Sequence, residues 1–485
     1  MSGDLPRLIR TKILATLGPA VPNDESLGRL IEAGADAFRL NFSHGTLDAH
    51  QENLTRVRRV SAKMGVHIAV VGDLSGPKIR LGTIEEPGGM AMEPGGLLVV
   101  HRRLATGRPG HVATNYERLV DEVQVGQRLL IDDGAVRFIV VEKQAESITC
   151  RCTAGGRLLT KKGVNLPDTE LSAPSITEYD WTCVRWAVEH GLDYLAMSFI
   201  RRADALLELR KFLKDAESDI QLIAKIEKPQ AVSNIDPIID ACDAVMVARG
   251  DLGVEMDVAQ VPIVQKDLIR RCRQASKPVI VATQMLQSMI ESASPTRAEV
   301  SDVANAVYDG SDAVMLSGET AVGKYPFLVV QTMSHIAHVT EDYLFKAPLA
   351  WGPQEGTLSN VTHAVEAALA WGACQMVRSL GCQSIVAWSQ SGVLARFFSK
   401  LRPSVPVIAL TSDERIARRT ALYFGITART MPVPDSLEDL VPAIDRMLLE
   451  SGSLEANDRI LIVGGTALGA PGAANAVVVH RVGSE

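Results

Sequence analysis

Residues 221–251 read QLIAKIEKPQAVSNIDPIIDACDAVMVARGD, and this stretch decides the fold. An apolar run, QLIAKIE (221–227), is followed by a helix-length segment and a second apolar run, AVMVARGD (244–251). Neither run alternates polar with apolar. Continuous apolar runs suit strands buried on both faces, as in a parallel sheet covered by helices. Six further runs of the same kind occur: TKILATLG (11–18), DAFRLNFS (36–43), HIAVVGDL (67–74), DYLAMSFI (193–200), PVIVATQM (278–285) and DAVMLSGE (312–319). Segments between them, such as SLGRLIEAG and ADALLELRKFLKD, carry apolar residues three and four apart, a helical period. Eight strands alternating with helices predict an α/β fold, a (β/α)8 barrel.

One connection is too long for that pattern. More than 110 residues separate HIAVVGDL from DYLAMSFI, where a strand-to-helix connection usually takes a handful. Residues 77–172 are rich in Gly and in short strand-like runs (GGLLVV, QRLLIDDG, VRFIVVEKQ, SITCRCTAGG). They predict an inserted all-β, barrel-like lid that splits the (β/α)8 domain into 1–76 and 173–345. An insertion after a barrel strand emerges at the catalytic mouth, where it can close over a substrate. After about residue 345 the pattern restarts: NVTHAVEAALAWGACQMVRSLG, then SIVAWSQ, PVIALTS, RILIVGG and NAVVVHRV. This predicts a C-terminal three-layer α/β domain, 346–485, with WGPQEGTLS (351–359) as linker. No short tandem repeat and no low-complexity tract stand out.

Composition agrees with a chain of about three domains. Of 485 residues, 50 are Lys or Arg and 57 Asp or Glu, a net charge of −7, which argues against nucleic acid or an anionic membrane as partner. No apolar stretch approaches the roughly 18 residues of a membrane span, and the first residues lack the apolar core of a signal peptide. The seven cysteines are scattered. Reduced thiols and a cytoplasmic location are the expectation.

The polar residues of the strands are placed unusually. Nearly every apolar run ends in a polar cluster: Arg39, Asn41 and Ser43; Asp73; Lys225 and Glu227; Arg249 and Asp251; Thr283 and Gln284; Ser317 and Glu319. In a (β/α)8 barrel the C-terminal ends of strands carry the chemistry, so these predict one shared active site. Glu227 and Asp251, on successive strands, supply two oxygen donors suited to Mg²⁺ or Mn²⁺ rather than zinc. Lys225, two residues from Glu227, shares its strand face. A lysine and an arginine (Arg39) beside a divalent cation suit a phosphoryl group in transfer, where catalysis is chiefly positioning and charge stabilisation. The glycines of ARGDLG allow close backbone approach where a helix starts, and N–H groups there bind carboxylate or phosphate.

These segments resemble the pyruvate kinase family. RTKILATLGPA, FRLNFSHG, GDLSGPKIR, KKGVNLP, AKIEK, VARGDLGVE, VATQML, PTRAEVSDVANAVYDGSDAVMLSGET and KYP occur in the family's order. The resemblance implies transfer of the phosphoryl group of phosphoenolpyruvate to ADP, giving pyruvate and ATP, in a homotetramer. It implies that Glu227 and Asp251 hold the divalent cation and that Lys225 neutralises the phosphoryl in flight and the enolate. Arg39 is similar to the phosphate-binding arginine. The backbone of Gly250 and Asp251 with Thr283 resembles the carboxylate cradle. Arg80 and Lys162 (or the adjacent Lys161) match nucleotide-phosphate ligands, and Pro19, Asn41 and His44 match positions lining the nucleotide site. Ser317 and Glu319 match a network that brings a proton to the enolate, with Thr283 and water as a candidate donor.

One departure is informative. Members of the family that need K⁺ hold it near the positions of Asn41, Ser43, Asp73 and the Leu74 carbonyl. They typically carry Glu where this chain has Lys78, and prefer Thr and Lys at Leu74 and Ser75. A tethered ammonium can supply the positive charge that K⁺ otherwise supplies, so the expectation is activity without K⁺. In the C-terminal domain, Ser389, Ser391 and Gly392 of SIVAWSQSG form a candidate phosphate nest for an effector, or a helix cap with a turn glycine. The late loop GTALGAPGAAN (465–475) has no Lys or Arg, which speaks against fructose bisphosphate. Two other readings are a metal-dependent aldolase acting through pyruvate enolate, and a non-catalytic sensor of phosphorylated metabolites. The first needs no counterpart of Arg80 and Lys162; the second needs no intact Lys225, Glu227, Asp251 and Thr283.

Overall fold

A computed structural model describes residues 9–346, 363–465 and 474–484. The linker reading at 351–359 and most of the late loop at 465–475 lie outside them. Three strands open the chain: β1 (Lys12–Thr16), β2 (Ala37–Asn41) and β3 (Ala69–Asp73). Eight follow in the insertion: β4 (Met90–Met92), β5 (Leu97–His101), β6 (His111–Ala113), β7 (Arg128–Ile131), β8 (Val136–Lys143), β9 (Ser147–Ala154), β10 (Gly156–Leu158) and β11 (Val164–Asn165). Five more return to the first sheet: β12 (Tyr194–Met197), β13 (Gln221–Ile226), β14 (Ala244–Ala248), β15 (Val279–Ala282) and β16 (Ala313–Leu316). Strands β1–β3 and β12–β16 close into a barrel in which every neighbouring pair is parallel.

The barrel strands are apolar throughout because both faces are covered. Ile13 and Ala15 pack outward with the helices, while Leu14 points inward with Ala37, Val71, Tyr194, Ile223, Met246, Ile280 and Met315. Helices are capped where the chain turns back: Asn23, Thr177 and Thr296 each form a reciprocal capping box, and Gly65 and Gly310 end helices in the left-handed conformation. The insertion forms a six-stranded sheet, β11-β7-β8-β9-β5-β6, beside the β10-β4 pair, around its own core. It is all-β apart from a helical turn, Leu119–Glu122.

The C-terminal segment is a five-stranded sheet. Its strands are β17 (Ser384–Trp388), β18 (Val407–Thr411), β19 (Ile426–Thr430), β20 (Arg459–Gly464) and β21 (Ala476–Arg481), in the order β19-β18-β17-β20-β21. Alternation sorts its two faces: Ile385 and Ala387 pack with helices Ala364–Leu380 and Val393–Leu401, and Val386 and Trp388 pack with Leu440, Ile444 and Leu448 of helix Leu437–Glu450. Helix layers on both faces make it three-layered.

The end of the barrel opposite the strand C-termini is built to a fourfold pattern that the sequence reading did not register. Asp36, Asp193, Asp243 and Asp312 each precede every second strand. Each accepts the backbone N–H of the neighbouring strand, from Ile13, Val70, Leu222 and Val279, at 2.7–2.8 Å. Each also holds a cation: Lys12, Arg58 with Arg418, Arg210, and Lys400. Arg418 and Lys400 come from the C-terminal domain, whose Ala421 and Leu422 enter the barrel's interior core. Tyr194 donates its hydroxyl to the Arg419 carbonyl at 2.8 Å. That end is sealed by the C-terminal domain, and the strand C-termini lie at the other.

Candidate active site

At the open end, the last residues of the strands converge. Lys225 on β13 is buried and extends its ammonium to three partners: Ser198 Oγ at 2.7 Å, Glu227 Oε1 at 2.9 Å and Asp73 Oδ1 at 3.1 Å. Arg39 on β2 donates its Nε to the other Asp73 oxygen at 2.6 Å and an Nη to Thr16 Oγ1 at 3.3 Å. Burial works against the charge of Lys225, but Asp73 and then Glu227 outweigh it and raise its pKa above the lysine range. Burial likewise acts to raise Asp73, yet Lys225 and Arg39 win and hold its carboxyl below the usual range. Glu227 goes the other way: burial pushes its carboxyl up, and Asp251 adds to that push against Lys225.

Asp251 lies in the first turn of helix Arg249–Glu255, directly after β14. Gly250 donates its N–H to Thr283 Oγ1 at 2.6 Å, and that hydroxyl donates to the Ala282 carbonyl. Thr283 and Gln284 have φ of +69° and +53°. Left-handed backbone at a β-branched residue is strained and held by its surroundings. Arg249 supplies part of that restraint, donating to the Thr283 carbonyl at 3.0 Å while paired with Asp302 at 2.6 Å.

Ser317 follows β16, and its N–H is bound by Glu319 Oε2 at 2.7 Å. Glu319 is fully buried and also accepts the Leu286 N–H at 3.2 Å. It faces the backbone of two loops, and Ser317 is the one of the pair that lines the site. A cavity of about 90 Å³ is bounded by Arg39, Asp73, Lys225, Glu227, Asp251, Thr283 and Ser317. It meets a larger cleft of about 380 Å³ between barrel and insertion, bounded by Lys78, Arg80, Lys162, Asp132 and Asp251. Lys162 pairs with Asp132 at 2.8 Å. Arg80 donates to the Lys161 carbonyl at 2.9 Å, so Lys161 presents its backbone to Arg80 while Lys162 lines the cleft. Pro19 and His44 are exposed. His50 Nε2 meets the His44 carbonyl at 3.0 Å.

The two carboxylates fit a divalent cation. Glu227 is 1% exposed and its ionised form is disfavoured by Asp251, a conflict that a hard dication between oxygen donors relieves.

Two family profiles match the chain: one described as pyruvate kinase, barrel domain, over residues 8–330, and one as pyruvate kinase, alpha/beta domain, over residues 367–480. The chain belongs to the pyruvate kinase family. It is 40% identical over 476 residues to a pyruvate kinase of Geobacillus stearothermophilus, covering 98% of this chain and 80% of the relative. It is 40% identical over 480 residues to that of Corynebacterium glutamicum, covering 98% of each. A solved pyruvate kinase of Cryptosporidium parvum superimposes with a TM-score of 0.90 at 32% identity, over 98% of this chain and 96% of the other. The chain is therefore a phosphotransferase that moves the phosphoryl group of phosphoenolpyruvate to ADP, giving pyruvate and ATP.

The positions matched to K⁺ ligands are engaged by protein donors. Asn41 Oδ1 accepts the Ser43 N–H at 3.2 Å, and the Leu74 carbonyl accepts Ser198 Oγ at 2.8 Å. Ser43 Oγ donates to Ser75 at 3.0 Å and accepts from Lys78 Nζ at 3.3 Å. Loss of solvation, then the charge of Lys225, lowers the Lys78 pKa, while Asp251, Glu227 and Asp73 pull it up; the ammonium sits in the field of the cluster.

Ser198 was missed among the sequence candidates. It directly follows β12 inside the run DYLAMSFI, and a small hydroxyl residue at the end of an apolar strand was the available signal. In the C-terminal domain, Gly392 takes φ +77° as the cap of helix Val393–Leu401. Buried Ser389 accepts the Ala395 N–H at 3.4 Å, and Ser391 is exposed. Gln390 fills the same turn, accepting from Thr411 and Ser412. Among the described residues, no helix is long and apolar enough to cross a membrane.

Proposed function

We propose that the transfer takes place in the cavity at the barrel mouth. Glu227 and Asp251 would hold Mg²⁺ or Mn²⁺, which when bound screens the negative charge of the substrate carboxylate and phosphate. Arg39 binds the phosphate of phosphoenolpyruvate. The N–H groups opening helix 249–255, with Thr283, receive its carboxylate. Arg80 and Lys162 take the phosphates of ADP from the lid side, and Pro19, Asn41 and His44 border the nucleotide. A β-phosphate oxygen of ADP attacks phosphorus in line. The bond from phosphorus to the enol oxygen breaks, and its electron pair stays on that oxygen. Lys225 balances the charge of both. The enolate carbon then takes a proton through the Ser317–Glu319 and Thr283 region, giving pyruvate. The lid excludes water, which would otherwise compete as phosphoryl acceptor. The observation that carries this reading is Lys225, bonded to Asp73 and Glu227 in a cavity that opens under a lid bearing Arg80 and Lys162.

The enzyme works without K⁺ in this reading, because Lys78 supplies the charge beside Ser43 and the matched donors are already engaged. A lactate-dehydrogenase-coupled assay with phosphoenolpyruvate, ADP and Mg²⁺, in tetramethylammonium buffer with and without KCl, tests it. Comparable rates are expected; activation of roughly tenfold or more by KCl rejects it. Lys78→Glu should lower activity in K⁺-free buffer and be partly rescued by KCl. Assembly as a homotetramer, a cytoplasmic location and capture of a phosphorylated effector at Ser389, Ser391 and Gly392 belong to the same proposal. Exposed Val365 and Trp371 on helix Ala364–Leu380, and exposed Val478 and Val479 on the edge strand β21, support self-association. Sedimentation, and activity titrations with sugar phosphates and nucleotides, test these points.

A further inference from the structure

Glu255 closes the helix that Gly250 and Asp251 open, and it is 1% exposed. One of its oxygens, Oε1, accepts two hydrogen bonds: from Lys228 Nζ at 2.7 Å and from Asn165 Nδ2 at 2.8 Å. Asn165 belongs to β11 of the lid, so a lid side chain is bonded to the far end of the cradle helix. The other oxygen, Oε2, is buried with no hydrogen-bond partner among the described residues, as is Oε1 of the neighbouring cleft residue Gln230. A buried carboxylate oxygen without a donor is costly.

Lys228 continues the network toward the metal ligands. It is 8% exposed, follows Glu227 and lies 5.8 Å from the Phe199 ring centroid. Phe199 donates its N–H to Glu227 Oε2 at 2.8 Å and takes φ +55°, an outlier for a bulky residue. Its ring also packs where the chain leaves the barrel for the lid: a Cβ on Gly76, which has φ +65°, would fall 2.8 Å from it. Gly76, where the chain enters the lid, and Asn165 of the lid strand β11 therefore both abut one chain of half-buried Phe199 and buried Lys228 and Glu255.

We propose that Lys228, Glu255 and Asn165 are positioning residues that couple occupancy of the phosphoenolpyruvate cradle to closure of the lid over the nucleotide. A buried ion pair is a poor way to gain stability. One that leaves an oxygen open at a domain hinge suits two lid positions, the second of which brings a donor to Oε2. Ligand at Gly250 and Asp251 shifts the helix that ends in Glu255, and Asn165 carries the shift to the lid. The inference rests on the cradle and metal assignments made above.

Hydrogen-exchange mass spectrometry on the full chain, with and without phosphoenolpyruvate and Mg²⁺, tests it. In the wild type, ligand should slow exchange both in residues 249–255 and in the lid crossing 164–173. Asn165→Ala leaves the Lys228–Glu255 pair intact. It should keep the slowing at 249–255 and lose it at 164–173, with the KM for ADP raised about fivefold or more and that for phosphoenolpyruvate little changed. Slowing of both segments in the variant, as in wild type, overturns the coupling. No slowing at 249–255 in the wild type overturns the site assignment beneath it.

Discussion

The two ends of the barrel both bury charge, and they use it oppositely. At the sealed end, Asp193 gives one oxygen to the Val70 N–H and Arg58 and the other to Arg418. Asp312 likewise meets the Val279 N–H, Lys400 and Ser399. Each carboxylate there is answered by protein donors, and the C-terminal domain completes the set. At the open end Glu227 is driven toward its neutral form by burial and by Asp251, and a cleft stands over it. Charge answered within the protein holds domains together, whereas two carboxylates crowded beside a cleft suit an incoming cation. Neither burial nor a shifted pKa marks a site alone, since burial also drives Asp36 and Lys400 toward their neutral forms at the sealed end; at the open end the imbalance sits beside a cleft.

Substitutions at the two ends should separate along that line. The largest effect is expected from Lys225→Met: turnover should fall roughly 10³-fold or more while phosphoenolpyruvate still binds. The fold should persist, because Asp73 keeps Arg39 and Glu227 is already pushed toward its neutral form. Steady-state rates, ligand binding and a melting curve check this. Unchanged turnover would remove Lys225 from the chemistry. Asp312→Ala should do the reverse. It strands the buried Lys400 and frees the Val279 N–H, destabilising the fold by about 3–5 kcal/mol with turnover at saturating substrate little altered; denaturant unfolding and the coupled assay measure both.

The smallest effect is a pH slope. Burial, against the pull of Asp312, lowers the Lys400 ammonium to about 8. Between there and its unfolded value near 10.4, the unfolded chain binds more protons than the native one, so stability from this group rises with pH across that window. Lys400→Met should flatten that rise. Unfolding midpoints taken across the window for both proteins decide it, and identical slopes would contradict the assignment.

The same contrast explains what the sequence disclosed. The open end was legible because apolar runs that end in Arg39, Asp73, Lys225, Glu227, Asp251 and Ser317 break the rule for a buried strand. The sealed end was not. Asp36, Asp193, Asp243 and Asp312 each stand before an apolar run, where an acidic loop residue is ordinary, and their fourfold recurrence is spread over most of the barrel. Their partners are backbone groups of the adjacent strand, which no local pattern reveals. Lys400 and Arg418 read as helix-surface charges until domain docking buries them. Glu255 was hidden in the same way: in GDLGVE it passes for a solvated helix residue, and only the lid's return across the barrel makes it a contact. The strained φ of Thr283 and Phe199 likewise has no composition signal, since neither is the glycine such a conformation favours.

The central claim is that Glu227 and Asp251 converge on one dication beside Lys225. Titration of the purified full chain with Mn²⁺, followed by electron paramagnetic resonance in the presence of phosphoenolpyruvate, tests it directly. The wild type should bind a tight Mn²⁺ that both Glu227→Gln and Asp251→Asn lose while remaining folded. Retention of that ion at wild-type affinity in either variant would contradict the account.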